Sequence, residues 1–152
     1  MKKHFMKIDQ TNIDIIKHLR NGRKSFKKIA DELGITENTV RSRVVKLVDE
    51  GILEISGFVD PESLPGHKIV FVGVKLGTLN LVEKAKEFSK LRGVVSVSVV
   101  TGRYDLILAV LLKEGFDLLQ FYTEEVYRLA DVRSVETFVV YKGYNLKVPY
   151  IL

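Results

Sequence analysis

Apolar residues in the first third of the chain recur at helical spacing, in three short runs separated by polar, glycine-containing breaks. Asp9 can cap a first helix reaching to about Arg20, with Ile15, Ile16 and Leu19 on one face and Asn21-Gly22 as its stop. Ser25 caps a second helix whose apolar face is Phe26, Ile29, Ala30 and Leu33, and Gly34 then provides a turn. Thr36 caps a third helix, in which Val40, Val44, Leu47 and Val48 form an i, i+4, i+7, i+8 stripe. Gly51 stands where a left-handed C-terminal residue is wanted. Three short amphipathic helices of this kind pool their stripes into one small core, and the last two have the outline of a helix-turn-helix.

Past Gly51 the period changes. Residues 52–59 read as a short strand, a rudimentary wing or an arm. The segment DPESLPG (60–66) holds two of the chain's three prolines and breaks any regular element. A boundary is expected there, giving a helical domain over residues 1–59, a linker over 60–67 and a second domain over 68–152. In the second domain residues 68–76 read as a strand and 79–91 as a helix with Leu81, Val82, Ala85, Phe88 and Leu91 inward. Strands over 94–101 and 106–113 flank a GRYD turn, a helix covers 116–129, and a strand over 134–142 closes the order. That order, β-α-β-β-α-β, is the ferredoxin-like arrangement, an antiparallel sheet with both helices on one face. The predicted class is α+β.

The sheet carries its own expectation about assembly. Ile69 and Phe71 alternate with Val70 and Val72, and Ile107, Ala109 and Leu111 alternate with Leu106, Leu108 and Val110. Two helices cover one face, and a half-solvated antiparallel sheet would alternate with polar residues. A second copy laid sheet against sheet would bury the uncovered apolar face, so a homodimer is expected. The alternative is that the N-terminal helices or the tail from Tyr144 to Leu152 cover it.

Composition narrows the class. The 152 residues are 46% hydrophobic, which suits folded domains and argues against a disordered chain. There is no cysteine, which rules out disulfides, thiolate metal sites and a cysteine nucleophile and fits a reducing cytosol. The basic start MKKHFMKIDQ is followed by no apolar h-region, and no apolar stretch is long enough to span a bilayer; a cytoplasmic protein without a membrane partner is expected. His4, His18 and His67 match no zinc spacing, the acids form no evident catalytic pair, and no phosphate loop or nucleophile elbow appears. The expectation is a protein that is not an enzyme and has no metal and no cofactor.

Net charge, +5, decides little, but its distribution is informative. Between Lys17 and Lys46 there are nine Lys and Arg against three acids, while the rest of the chain is close to balanced. A basic segment coinciding with a helix-turn-helix is the footprint expected of phosphate binding, with double-stranded DNA as partner. On a helical wheel Asn38, Thr39, Ser42 and Lys46 lie away from the apolar stripe of the third helix. Asn38, Thr39 and Ser42, in its first turns, are the candidates for base edges, since Asn can pair bidentately with adenine and a Thr methyl can touch thymine. Arg41, Arg43 and Lys46 are placed to grip phosphates or, for an Arg, to read guanine. Thr36 opens the same helix, and Ser25, Lys27 and Lys28 at the start of the second helix suit phosphates.

The segments IDQTNIDIIKHL, FKKIADELGITENTVRSRVVKLVDEGIL and GVVSVSVVTGRYDLIL together resemble the Lrp/AsnC, or feast/famine, family of transcriptional regulators over nearly the whole chain. The resemblance implies an N-terminal helix-turn-helix and a C-terminal βαββαβ domain that dimerises and assembles further into tetramers or octamers. It also implies an amino-acid effector bound between subunits, at the hairpin Thr101-Gly102-Arg103-Tyr104-Asp105. There, backbone N–H groups near Gly102 could hold a carboxylate with help from Arg103, Asp105 could accept from an ammonium, and Tyr104 could wall the pocket. The plain reading of the same residues is a glycine turn closed by Asp105 with Tyr104 packed on a neighbour. The chain departs from the family pattern at Asn12, where a second acid is usual, at Asp131, where a glycine is, and in the partly polar start of the last strand, Glu136 and Thr137. The expected function is sequence-specific DNA binding in transcriptional regulation, responsive to a small molecule. The alternatives are an architectural protein that coats DNA and a metabolite-sensing module whose helical domain binds protein.

Overall fold

In the computed structural model, which describes residues 7–152, each of the first three helices begins at the cap its sequence offers. Asp9 accepts the Asn12 N–H at 2.8 Å ahead of α1 (Gln10–Leu19). Ser25 accepts the Lys28 N–H at 3.2 Å ahead of α2 (Phe26–Leu33), and Thr36 accepts the Thr39 N–H at 3.2 Å ahead of α3 (Glu37–Asp49). Each cap satisfies an N–H that the first helical turn leaves without a partner. Between α2 and α3, Gly34 takes φ +65°, a conformation that a Cβ resists, and the Ile35 N–H returns to the Ala30 carbonyl at 3.1 Å. Ile15, Ile29, Ala30, Val40 and Val44 are buried together, with Leu19, Phe26, Leu33, Ile35 and Leu53 packed around them.

The stripe on α3 is narrower than its spacing predicts. Leu47 is buried but Val48 is 43% exposed. The chain turns at Gly51, where the Ile52 and Leu53 N–H groups both return to the Leu47 carbonyl at 2.9 and 3.1 Å, and Leu53 folds back onto the core in its place.

The predicted strand over 52–59 is also reduced. Only Phe58–Val59 (β1) finds a ladder partner, the tail segment Val148–Pro149 (β6), to which it runs antiparallel. The chain accordingly divides into compact units between Ser56 and Gly57, ahead of the proline-rich stretch. Residues 60–67 belong to the second unit, where Asp60 caps a 3-10 turn at Pro61–Ser63 by accepting the Glu62 N–H at 3.0 Å and Pro61 is buried.

The second unit contains β2 (Lys68–Leu76), α4 (Leu81–Phe88), β3 (Val94–Val99), β4 (Leu106–Leu112), α5 (Leu118–Gln120) and β5 (Val132–Val139). The four long strands form an antiparallel sheet in the order β3-β4-β2-β5, the ferredoxin-like βαββαβ arrangement. Val70, Val72, Val74 and Leu76 of β2 and Leu106, Leu108, Val110 and Leu112 of β4 meet Phe88, Phe116, Phe121 and Val126 on the helix side. The first of these helices is shorter than predicted, with Leu79 and Val82 exposed. The second is not one α-helix: α5 runs into a π turn at Phe121–Glu125 and a 3-10 turn at Val126–Arg128. Phe121 and Val126 are five residues apart, and the π turn lets both reach the sheet.

On the other face the tail covers one end, burying Ile69, Leu111 and Val148 with Val59, Leu146 and Leu152 around them. Beyond that cover Phe71 and Ile107 are half-buried and Phe138 is exposed. No helix among the described residues is long and apolar enough to cross a membrane.

Candidate functional site

The helix-turn-helix sorts its basic residues into those with internal partners and those without. Lys17 pairs with Asp14 at 3.0 Å, Lys24 with Glu32, Arg41 with Glu37 at 2.9 Å and Arg43 with Asp9 at 2.8 Å. Among the described residues Lys27, Lys28 and Lys46 have no carboxylate within 4 Å, and all three are exposed. The free positive charge of the predicted site therefore sits at the start of α2 and in the middle of α3.

The exposed residues of α3 include Asn38, Ser42, Val45 and Lys46, with Thr39 half-buried, on the side away from Val40, Val44 and Leu47. Thr36 and Thr39 share a hydroxyl contact of 2.9 Å, so both are partly committed to the helix start. Ser25 accepts its capping bond and keeps its hydroxyl proton free to donate. Arg41 lies over the Phe26 ring at 5.4 Å from its centroid, leaning toward α2. It combines cation–π attraction with its pairing to Glu37.

Arg43 has a different setting from the one its wheel position suggests. Its Nη1 donates to both carboxylate oxygens of Asp9 and to Asn12 Oδ1, each at 2.8 Å. It braces α3 against the N-terminus of α1. This contact holds the Asp9 carboxyl below its usual range, the Arg43 hydrogen bond being the main cause and the Asn12 N–H the next. Asn12, only 3% exposed, was not singled out as a binding residue by its sequence, and neither was Lys7, which lines a cleft with Asp9, Asn12, Ser42, Arg43 and Lys46.

The five predicted residues of the hairpin in the second unit have different settings. Thr101, Gly102 and Arg103 form an exposed tip, where Gly102 takes φ +126° with open space around it. Arg103 reaches Glu136 at 3.0 Å and lies 5.4 Å from the Tyr104 ring centroid. Tyr104 lies flat over Gly73: a Cβ there would stand 2.7–2.8 Å from its ring, so only glycine admits the stacking. Tyr104 also meets Phe138 edge-on and donates its hydroxyl to Glu136, which raises its pKa. Asp105 engages both its oxygens: it accepts the Leu76 N–H at 2.8 Å and Lys75 Nζ at 2.9 Å. Those two contacts, in that order, lower its pKa.

The histidines lie apart. His18 sits between Lys24 and Glu32, at 2.7 and 3.3 Å, His67 contacts Tyr150, and His4 falls outside the described residues. Among the described residues no group of three or more potential ligands could hold a metal.

Comparison with known proteins covers both units. Residues 8–48 match the AsnC-type helix-turn-helix domain, and residues 69–147 match the Lrp/AsnC ligand binding domain. The HTH-type transcriptional regulator Ptr1 of Methanocaldococcus jannaschii is 31% identical over 142 residues, spanning 91% of this chain and 95% of that protein. The crystal structure of PH0061 superposes with a TM-score of 0.78 at 25% identity, over 94% of this chain and 99% of the other. The transcriptional regulator NMB0573 of Neisseria meningitidis, solved as its L-Met complex, shares the fold at TM-score 0.68 and 22% identity, with 96% of each chain covered.

Proposed function

Since the chain belongs to the Lrp/AsnC family of transcriptional regulators, we propose that it binds specific sites on double-stranded DNA through α3, under the control of an effector and of assembly by its sheet unit. The observation that carries the DNA reading is the exposed row Asn38, Ser42, Val45 and Lys46 along α3, backed by a buried stripe, together with unpaired Lys27 and Lys28 at the start of α2. Such a row suits the major groove: Asn38 offers a bidentate edge for adenine, Val45 an apolar contact for a thymine methyl, and the lysines neutralise phosphate.

A dimer formed through the open sheet face would pair two such helices. A two-fold operator with half-sites one or more helical turns apart follows from that symmetry. Tetramers or octamers would repeat the arrangement. The effector class we favour is a free amino acid, supported by the family's ligand binding domain and by the L-Met complex of a protein with the same fold. At the hairpin, the tip from Thr101 to Arg103 is open to such a ligand, whereas Asp105 already has its partners.

The test is competition, at fixed salt, between a duplex selected by the purified protein from a random pool and an unselected duplex. Preference for the selected duplex is expected; equal affinities would point to a protein that coats DNA, and no binding at low salt to a protein-binding helical unit. Repeating the selection with each amino acid, beside thermal shifts, tests the effector.

A further inference from the structure

Between the start of α1 and the middle of α3 lies a cleft of about 340 Å³, lined by Lys7, Asp9, Asn12, Ser42, Arg43 and Lys46. It holds three cations against one carboxylate. That carboxylate is engaged within the domain: Asp9 accepts the Asn12 N–H and Arg43 Nη1, all at 2.8 Å. Arg43 is also held by Asn12 Oδ1, at 2.8 Å, and all three of its bonds to Asp9 and Asn12 use Nη1. Among the described residues its second terminal nitrogen donates no hydrogen bond, and Lys46 has no carboxylate partner. A small polar recess with surplus positive charge and donors to spare takes an oxyanion.

Its place on α3 says which oxyanion. Ser42 and Lys46 belong both to the cleft and to the row that begins at Asn38, at i, i+4 and i+8. The opposite flank of α3, toward α2, carries Arg41 over Phe26. A helix lying in the major groove has a phosphate strand along either side. Building on the DNA reading above, we infer that this cleft seats a backbone phosphate. Lys7 and Lys46 supply its charge, Ser42 supplies a hydroxyl donor, and Arg43, fixed by Asp9 and Asn12, forms its wall. Asn12 sets the strength of the seat. As a neutral amide it holds Arg43 without adding a second negative charge to the recess.

The experiment is a salt titration of the full chain on a selected and on an unselected duplex, read by fluorescence anisotropy, with Lys7→Ala and Asn12→Asp. Asn12→Asp keeps an acceptor for Arg43 and is nearly isosteric, so a thermal melt as high as the parent's is expected. Each variant is expected to lose roughly three- to tenfold in affinity near 0.1 M salt and about one unit of the slope of log K against log salt. The loss should be equal on both duplexes, because a phosphate contact carries no sequence information. Parent-like affinity and slope for both variants, beside steep salt dependence of the parent, would remove the cleft from the interface and leave the DNA reading intact. Absence of salt-dependent binding by the parent would instead overturn the DNA reading itself. A loss confined to the selected duplex would assign the cleft to base readout and overturn the phosphate seat.

Discussion

Asp105 closes the hairpin with both carboxylate oxygens, one on the Leu76 N–H and one on Lys75 Nζ. Its pKa is depressed by those contacts, so its contribution to stability is whole above the unfolded value of about 3.9 and is lost as pH falls through the lower folded one. Asp105→Asn keeps an acceptor for the N–H and removes the charge. Its melting temperature is expected several degrees below the parent's near neutral pH, with the gap narrowing below about pH 4; a gap unchanged in acid would show that the charge adds nothing. At this scale the sequence is legible where a residue acts locally. Asp9, Ser25, Gly34 and Thr36 all stand where their chemistry predicts. The bracing of Arg43 by Asp9 is not legible in the same way, because the two lie 34 residues apart and a helical wheel carries no information about a neighbouring helix. Lys7 had one available signal, a cation two residues ahead of a helix cap.

Elements follow the same division. The first three helices start at their own caps, and so does α5 at Asp117, whereas residues 52–59 and the turns at 121–128 take their form from what they pack against. A strand needs a ladder, and only Phe58–Val59 has one. The π turn after α5 answers to the burial of Phe121 and Val126, a spacing that helical periodicity does not reward. The entry to β5 shows a local cost as well. Asp131 holds φ +67°, while its carbonyl accepts the Gly77 N–H at 2.7 Å. Its exposed carboxylate lies 3.4 Å from Lys84, a pairing of small worth. Asp131→Gly is therefore expected to raise unfolding free energy in urea by up to about 1 kcal/mol. A decrease would mean that the ion pair outweighs the backbone strain.

For the whole molecule, the two-faced apolar sheet was legible from alternation alone, and the tail was one of the covers that the sequence offered, but how much of the face it takes was not legible. The tail occupies the end around Ile69 and Leu111, and the remainder, with Phe71, Ile107 and Phe138, is what a second copy would bury. Phe138→Glu is expected to shift the protein to monomer in sedimentation velocity and to weaken binding to a two-site operator far more than to a single half-site. An unchanged sedimentation coefficient would place the interface elsewhere. The pairing of Phe58–Val59 with Val148–Pro149 has a further effect. It works as a buckle, fastening the point where the chain enters the sheet unit to the unit's last strand. A protease nick after Leu146 would free that strand and unfasten Phe58 with it, so cleavage near Gly57 should appear as soon as the tail is cut and not before.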